Sequence, residues 1–207
     1  MTGPNMILSG SGAVIDVETR GAAAADVEAA WRRHARAALD AVGWAGSEIA
    51  CRRFPGGLSL AFSAPEDVLY AATEVNEWAW EAARAELGDA GAEPESLAEP
   101  ESLAEAAERL RAAIEDERNP SLIALRDEAR RRDVTFLTDD DVTSVGMGRG
   151  CRLWPTNEVP SASQPDWEGV GDVPVALVTG TNGKTTTVRL LCGIARAAGL
   201  VPGCTST

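Results

Sequence analysis

The sequence predicts an α/β chain in two parts: a small N-terminal α+β domain, then the opening of a parallel-sheet domain that is incomplete at the C-terminus. Two observations carry this expectation. Hydrophobic periodicity between Ala13 and Leu87 reads strand, helix, strand, strand, helix. Much later, the apolar, β-branched run Val173-Pro174-Val175-Ala176-Leu177-Val178-Thr179 passes straight into a glycine loop and a helix, the pattern of a strand buried on both faces. With 207 residues, of which 44% are hydrophobic and 25% charged, the chain can bury a core and hold one or two domains.

The first strand, Ala13 to Glu18, alternates after the turn Ser9-Gly10-Ser11-Gly12. From Asp26, the residues Val27, Ala30, Trp31, Ala35, Ala38, Leu39 and Val42 recur at helical spacing with Arg32, Arg33 and Arg36 outside, and Gly43 ends the run. Glu48–Phe54 and Leu58–Ser63 are strands joined by Pro55-Gly56-Gly57, a hairpin signal. Ser63-Ala64-Pro65-Glu66 combines a capping box with proline at the first helical position, so a second long helix is expected from there to Leu87, before Gly88. Its aromatics Tyr70, Trp78 and Trp80 are expected in a core or interface. The arginines around His34 could form an anion site, although charges on the outer face of an amphipathic helix are usually only solvated.

Residues 1–88 thus form the N-terminal domain. Residues 89–120 form an acidic linker, in which Glu-Pro-Glu-Ser-Leu-Ala occurs twice in tandem from Glu93, passing into a helix over Leu103–Glu117. Residues 121–154 form a small α/β segment: a helix over Leu122–Arg132, a short strand over Val134–Leu137, and Asp139-Asp140-Asp141 after it. Adjacent carboxylates do not converge on one metal from a strand or a helix, so a turn is expected there. Residues 155–172, rich in Pro, Ser, Gly and Asp, form a second linker, and 173–207 the last unit.

The formal net charge is -13, and between Glu86 and Glu117 eleven acidic residues face two arginines. That balance repels nucleic acid. No apolar run approaches the roughly 18 residues of a membrane span, and Met1-Thr2-Gly3-Pro4-Asn5 lacks the basic start of a signal peptide, so a cytoplasmic location is expected. Cys51, Cys151, Cys192 and Cys204 form no CxxC pair, and the single His34 completes no zinc set; they are expected to be reduced and mostly buried.

Of 19 basic residues 18 are arginine, and the one lysine, Lys184, lies in Gly180-Thr181-Asn182-Gly183-Lys184-Thr185-Thr186-Thr187. Arginine's fork and lysine's compact ammonium do different work, so a point charge has been kept at this place. A strand, a glycine turn and a helix N-terminus together aim bare N–H groups and a helix dipole at one spot, which suits an anion. Gly180 and Gly183 can take left-handed angles, Lys184 can reach β- and γ-phosphates, and the Thr185 hydroxyl can sit on Mg²⁺. The helix is expected from Lys184 to Ala198 with Val188, Leu191, Cys192 and Ala195 on one face, and another strand over Leu200–Thr205. The general P-loop formula needs glycine at position 178, where this chain has Val178, so the loop is two residues shorter.

Thr179 to Thr187 resembles the compact loop of the Mur ligase family, and is most similar to the Mur-ligase part of cyanophycin synthetases. Leu122 to Trp154 also resembles the segment that opens the ATP-grasp part of those synthetases, but no ATP-grasp body follows. The resemblance implies an ATP-dependent carboxylate–amine ligase acting through an acyl phosphate on an amino acid or peptide substrate. By position it implies that Gly180, Thr181, Asn182, Gly183, Lys184, Thr185 and Thr186 hold the nucleotide, with Lys184 catalytic and Thr185 and Ser206 as metal contacts. The family's later metal-binding glutamate and histidine have no counterpart. A truncated product, a split protein with a second chain supplying the rest, or an artificial boundary would each explain this. The chain alone is therefore expected to bind Mg²⁺-ATP weakly or not at all and to turn nothing over. The alternative is a non-catalytic recognition or oligomerisation module with an inactive nucleotide stub.

Overall fold

The structure, a computed structural model, describes residues 5–19, 21–88 and 101–205. Strand β1 (Gly12–Glu18), helix α1 (Ala24–Ala41), β2 (Ile49–Phe54), β3 (Gly57–Ser63) and α2 (Leu69–Leu87) follow the expected order. The sheet is antiparallel with order β1-β3-β2, so β3 pairs on both sides, with Leu60 opposite Ile15 and Cys51. Central placement explains why β3 is buried from Gly57 to Phe62.

The apolar stripe of α1 lands where its spacing puts it: Val27, Ala30, Trp31, Ala35, Ala38 and Leu39 are its buried residues. They meet Leu58, Leu60 and Phe62 from the sheet and Ala72, Val75, Ala79 and Ala83 from α2 in one core. Fully burying side chains such as Leu39 and Phe62 contributes about 1.5–3 kcal/mol each.

Helix α2 starts later than its sequence suggests. The Ser63 hydroxyl cannot cap it, because Ser63 ends β3 and its Oγ accepts the Glu48 amide at 2.9 Å. Pro65 to Val68 form a turn, and the bare amides of Tyr70 and Ala71 donate instead to the two Glu117 carboxylate oxygens at 2.9 and 2.7 Å. Gly88 closes the helix in a left-handed conformation, as expected.

Helix α3 (Leu103–Glu117) opens on a reciprocal Ser102–Glu105 capping box and joins the core through Ala106 and Leu110. Helix α4 (Pro120–Arg131) starts with proline in its first turn behind the Asn119 cap. A second antiparallel sheet follows, order β4-β5-β6, from β4 (Phe136–Thr138), β5 (Val142–Val145) and β6 (Arg152–Pro155). Its short strand lies two residues later than expected at its start, and β5 and β6 were not foreseen as strands. Asp139 does form a turn, its Oδ1 accepting the amides of Asp141 and Val142 at 2.9 and 2.7 Å. Leu125 and Ala129 of α4 pack on Val145, with Phe136, Trp154 and Trp167 around them.

Helix α5 (Lys184–Ala197) is the last element. The strands expected over Val173–Thr179 and Leu200–Thr205 are not formed, and both sheets of the described residues are antiparallel. A strand needs neighbours to satisfy its backbone, and no described segment pairs with either run. The first hexapeptide copy, Glu93 to Ala98, lies outside the described residues.

Candidate phosphate-binding loop

The chain reaches the glycine loop from a fixed point on the second sheet. Met147 donates its amide to the Gly171 carbonyl at 2.9 Å, and the Thr135 amide and hydroxyl both donate to Asp172 Oδ2 at 2.8 Å. The backbones cross closely there: a Cβ built on Gly150 would lie 2.5 Å from the Gly171 nitrogen. These anchoring residues were not singled out from sequence as such, although the spacing Gly146, Gly148, Gly150 was their signal.

Beyond Asp172 the chain runs out into solvent. Leu177 is 94% exposed and Val175 53%. Gly180 takes φ 146° and Gly183 φ 81°, angles that side-chain-bearing residues rarely adopt, so the predicted need for glycine at both positions is met. Gly183 occupies the N-cap of α5, and no side chain caps that helix. The only lysine folds back across the turn: Lys184 Nζ donates to the Gly180 carbonyl at 2.5 Å. Thr185 is half-buried, while Thr181, Asn182 and Thr186 are exposed.

The predicted site residues Gly180 to Thr186 are therefore contiguous in space as well as sequence, with an ammonium and a helix N-terminus at one turn. From Val173 to Thr205 the chain carries Lys184, Arg189 and Arg196 and no carboxylate, which favours an anion at this end of a strongly acidic protein. Ser206, the other expected metal contact, lies outside the described residues, and among the described residues no group of three His, Cys, Asp or Glu side chains could hold a metal ion. Of the expected apolar face of α5, only Cys192 is buried; Leu191 is 44% exposed.

Other expected features resolve structurally. The arginines near His34 do not form an open anion site. Arg33 and His34 both engage Glu86, Arg32 pairs with Glu28 at 3.0 Å, and Arg36 donates to the Ala45 carbonyl. Trp78 and Trp80 pack partly buried against the core, whereas Tyr70 is 65% exposed and donates its hydroxyl to Asp140 at 2.6 Å. A shallow cleft of about 380 Å³ lies on the N-terminal domain, lined by Ser9, Ser11, Trp44 and Ser63 among others. The hydroxyls of Ser9 and Ser11 are spent on Glu48 and the Ala64 carbonyl, and Ser63 Oγ already accepts the Glu48 amide. No helix is long and apolar enough to cross a membrane among the described residues.

Set against known proteins, the chain matches no family model and no curated protein.

Proposed function

We propose that residues 180–186 are the triphosphate-binding turn of an ATP-dependent carboxylate–amine ligase of the Mur type. The observation that supports this most is the position of Lys184 Nζ, 2.5 Å from the Gly180 carbonyl, at the uncapped start of α5. A phosphate oxygen arriving at this turn meets a mobile ammonium, the first-turn amides of α5 and the positive end of its dipole together. Glycine at 180 and 183 keeps side chains out of its way, and space around Gly183 is open within 4 Å. The Thr185 hydroxyl would take Mg²⁺, which when bound spreads the charge of the transferring phosphoryl group. Carboxylate ligands for that ion come from outside residues 173–205, which contain none.

In this reading the substrate carboxylate of an amino acid or peptide takes the γ-phosphoryl group, and an amine then displaces phosphate to form the amide. The protein acts in the cytoplasm. A second reading, a non-catalytic recognition or oligomerisation module, draws support from the closed N-terminal core beside an unpaired 173–179 run.

Titration with millimolar Mg²⁺-ATP followed at backbone amides by NMR separates the two. Weak, saturable shifts are expected at Gly183, Lys184, Thr185 and Thr186, and they should vanish in Lys184→Ala without a change in melting, because Lys184 is exposed. Shifts elsewhere that leave these amides unmoved, or equal binding by the variant, remove the phosphate role and leave the second reading.

A further inference from the structure

We propose that Asn182 is a self-modifying site: its side-chain amide closes onto the Gly183 nitrogen and hydrolyses to aspartate and isoaspartate, which puts a carboxylate at the start of α5. The chain has five asparagines, and the structure sets this one apart from the others. Asn76 is 1% exposed, with its side chain spent on Trp31 and the Leu60 carbonyl. The Asn5 side-chain oxygen accepts the amides of Ile7 and Leu8 at 2.9 and 2.7 Å. Asn119 caps α4 and is followed by Pro120, which has no N–H to attack with. Asn157 is exposed, but Glu158 after it carries a side chain beside the nitrogen. Asn182 combines an exposed side chain with glycine next in sequence, and among the described residues neither its side chain nor the Gly183 N–H makes a hydrogen bond.

The turn favours the step. Gly183 stands at φ 81°, and the space where a Cβ would lie is open within 4 Å, so nothing crowds its nitrogen. As the N-cap of α5 it lies outside the helix ladder: its carbonyl accepts the Thr187 amide at 2.9 Å, while its own N–H is uncommitted. The Gly183 nitrogen loses its proton to hydroxide and attacks Asn182 Cγ, and the negative charge passes to Oδ1. The Lys184 ammonium, held on the Gly180 carbonyl at 2.5 Å, and the positive end of the α5 dipole belong to the same turn and favour that oxyanion. The bond from Cγ to the side-chain nitrogen then breaks, and ammonia leaves with a proton from water, giving a succinimide. Water opens the ring at Cγ to give aspartate, or at the backbone carbonyl carbon to give isoaspartate, whose main chain runs through the former side chain. The sum is one water consumed and one ammonia released, with no oxidant or cofactor. Since residues 173–205 hold no carboxylate, the product is the first in that stretch, next to Lys184. The step needs no nucleotide, so it stands whether or not the glycine loop binds one.

The test is to hold the whole 207-residue chain in warm, mildly alkaline buffer, digest it with trypsin, and follow the mass of the peptide Leu153–Lys184 against an unincubated sample. That peptide carries Asn157 as well as Asn182, so one fragmentation spectrum compares the two. The expected result is an amide-to-acid mass gain on Asn182 in most copies while Asn157 keeps its amide, faster as pH rises because the attacking nitrogen must lose its proton. Protein isoaspartate methyltransferase should label the product. Asn182→Gln, an exposed change that has to close a larger ring, should abolish both the gain and the label. Gly183→Ala, which sets a methyl beside the attacking nitrogen, should slow them several-fold. The proposal is overturned if Asn182 keeps its amide, if Asn157 converts as fast, or if gain and label persist unchanged in Asn182→Gln.

Discussion

Trp31 on α1 donates its indole N–H to the Asn76 side-chain oxygen on α2 at 2.9 Å, and Asn76 donates its own amide to the Leu60 carbonyl on β3 at 3.1 Å. Asn76 is 1% exposed, so a polar side chain stitches three elements together inside the N-terminal core. Such a group is tolerated because every polar atom finds a partner.

Asn76→Leu should therefore destabilise the protein by about 3 kcal/mol, since it orphans both the Trp31 N–H and the Leu60 carbonyl in a dry site. Urea unfolding measures it. Combining Asn76→Leu with Trp31→Phe should cost less than the sum of the single changes, because the second removes the donor that the first leaves stranded. Additive losses would mean that the Trp31–Asn76 bond is not coupled to the core.

Gly150→Ala should cost about 1–3 kcal/mol, because its methyl would press on Gly171 backbone atoms at 2.5 and 2.7 Å that have no slack. Gly171→Ala, one partner away, is expected to be nearly neutral, since a Cβ there meets nothing within 4 Å. Thermal melting of the two variants should rank them in that order, and hydrogen exchange should show the Met147 amide losing protection in the first only.

Stability should fall in acid. Hydrogen bonds from His34 and Arg33 hold Glu86 below the usual carboxylate range, those from Arg132 and Arg131 do so for Glu128, and the Val142 and Asp141 amides do so for Asp139. Each folded carboxyl binds fewer protons than its unfolded counterpart near the ordinary values of 4.5 for Glu and 3.8 for Asp. Their contribution is thus whole above those values and disappears as pH drops through the lower folded ones. The urea midpoint should hold level down to about pH 6 and decline below about pH 4. Glu128→Gln should flatten that decline, and a midpoint that rises on acidification would contradict the assignment.

Hydrogen exchange should divide the chain sharply. Leu60 and Phe62, in the centre of the first sheet, should exchange only on global unfolding, whereas Val175 and Leu177 should exchange at close to the unprotected rate. Among the described residues no backbone hydrogen bond is formed by Val173 to Thr179. Strong protection there would show that these residues pair in solution.

Much of the fold was legible because local signals and packing agree. The stripe Val27, Ala30, Trp31, Ala35, Ala38, Leu39 named the buried face of α1, and Gly56, at φ 88°, marked the β2–β3 turn. The start of α2 was not legible, since Ser63 is a good cap by type but is committed to Glu48, while the group that does cap the helix is Glu117, 46 residues beyond Ala71. Strand-like composition at Val173–Thr179 could not by itself make a strand, because pairing is a property of neighbours. At the candidate loop, the glycine conformations and the helix start were readable; the lysine's contact with Gly180 depends on three-dimensional placement.

The start of α2 is gripped by later sequence at several places: Glu117 holds its first amides, Asp67 accepts the Asn119 amide at 3.0 Å, Arg126 pairs with Glu66 at 3.2 Å, and Tyr70 reaches Asp140. Swinging the second sheet away from the first would break the Asp67–Asn119, Glu66–Arg126 and Tyr70–Asp140 contacts and leave charged groups stranded at the seam. These contacts tether the two halves to each other at one end of α2, whereas among the described residues no backbone hydrogen bond tethers Val173 to Thr179 to either half.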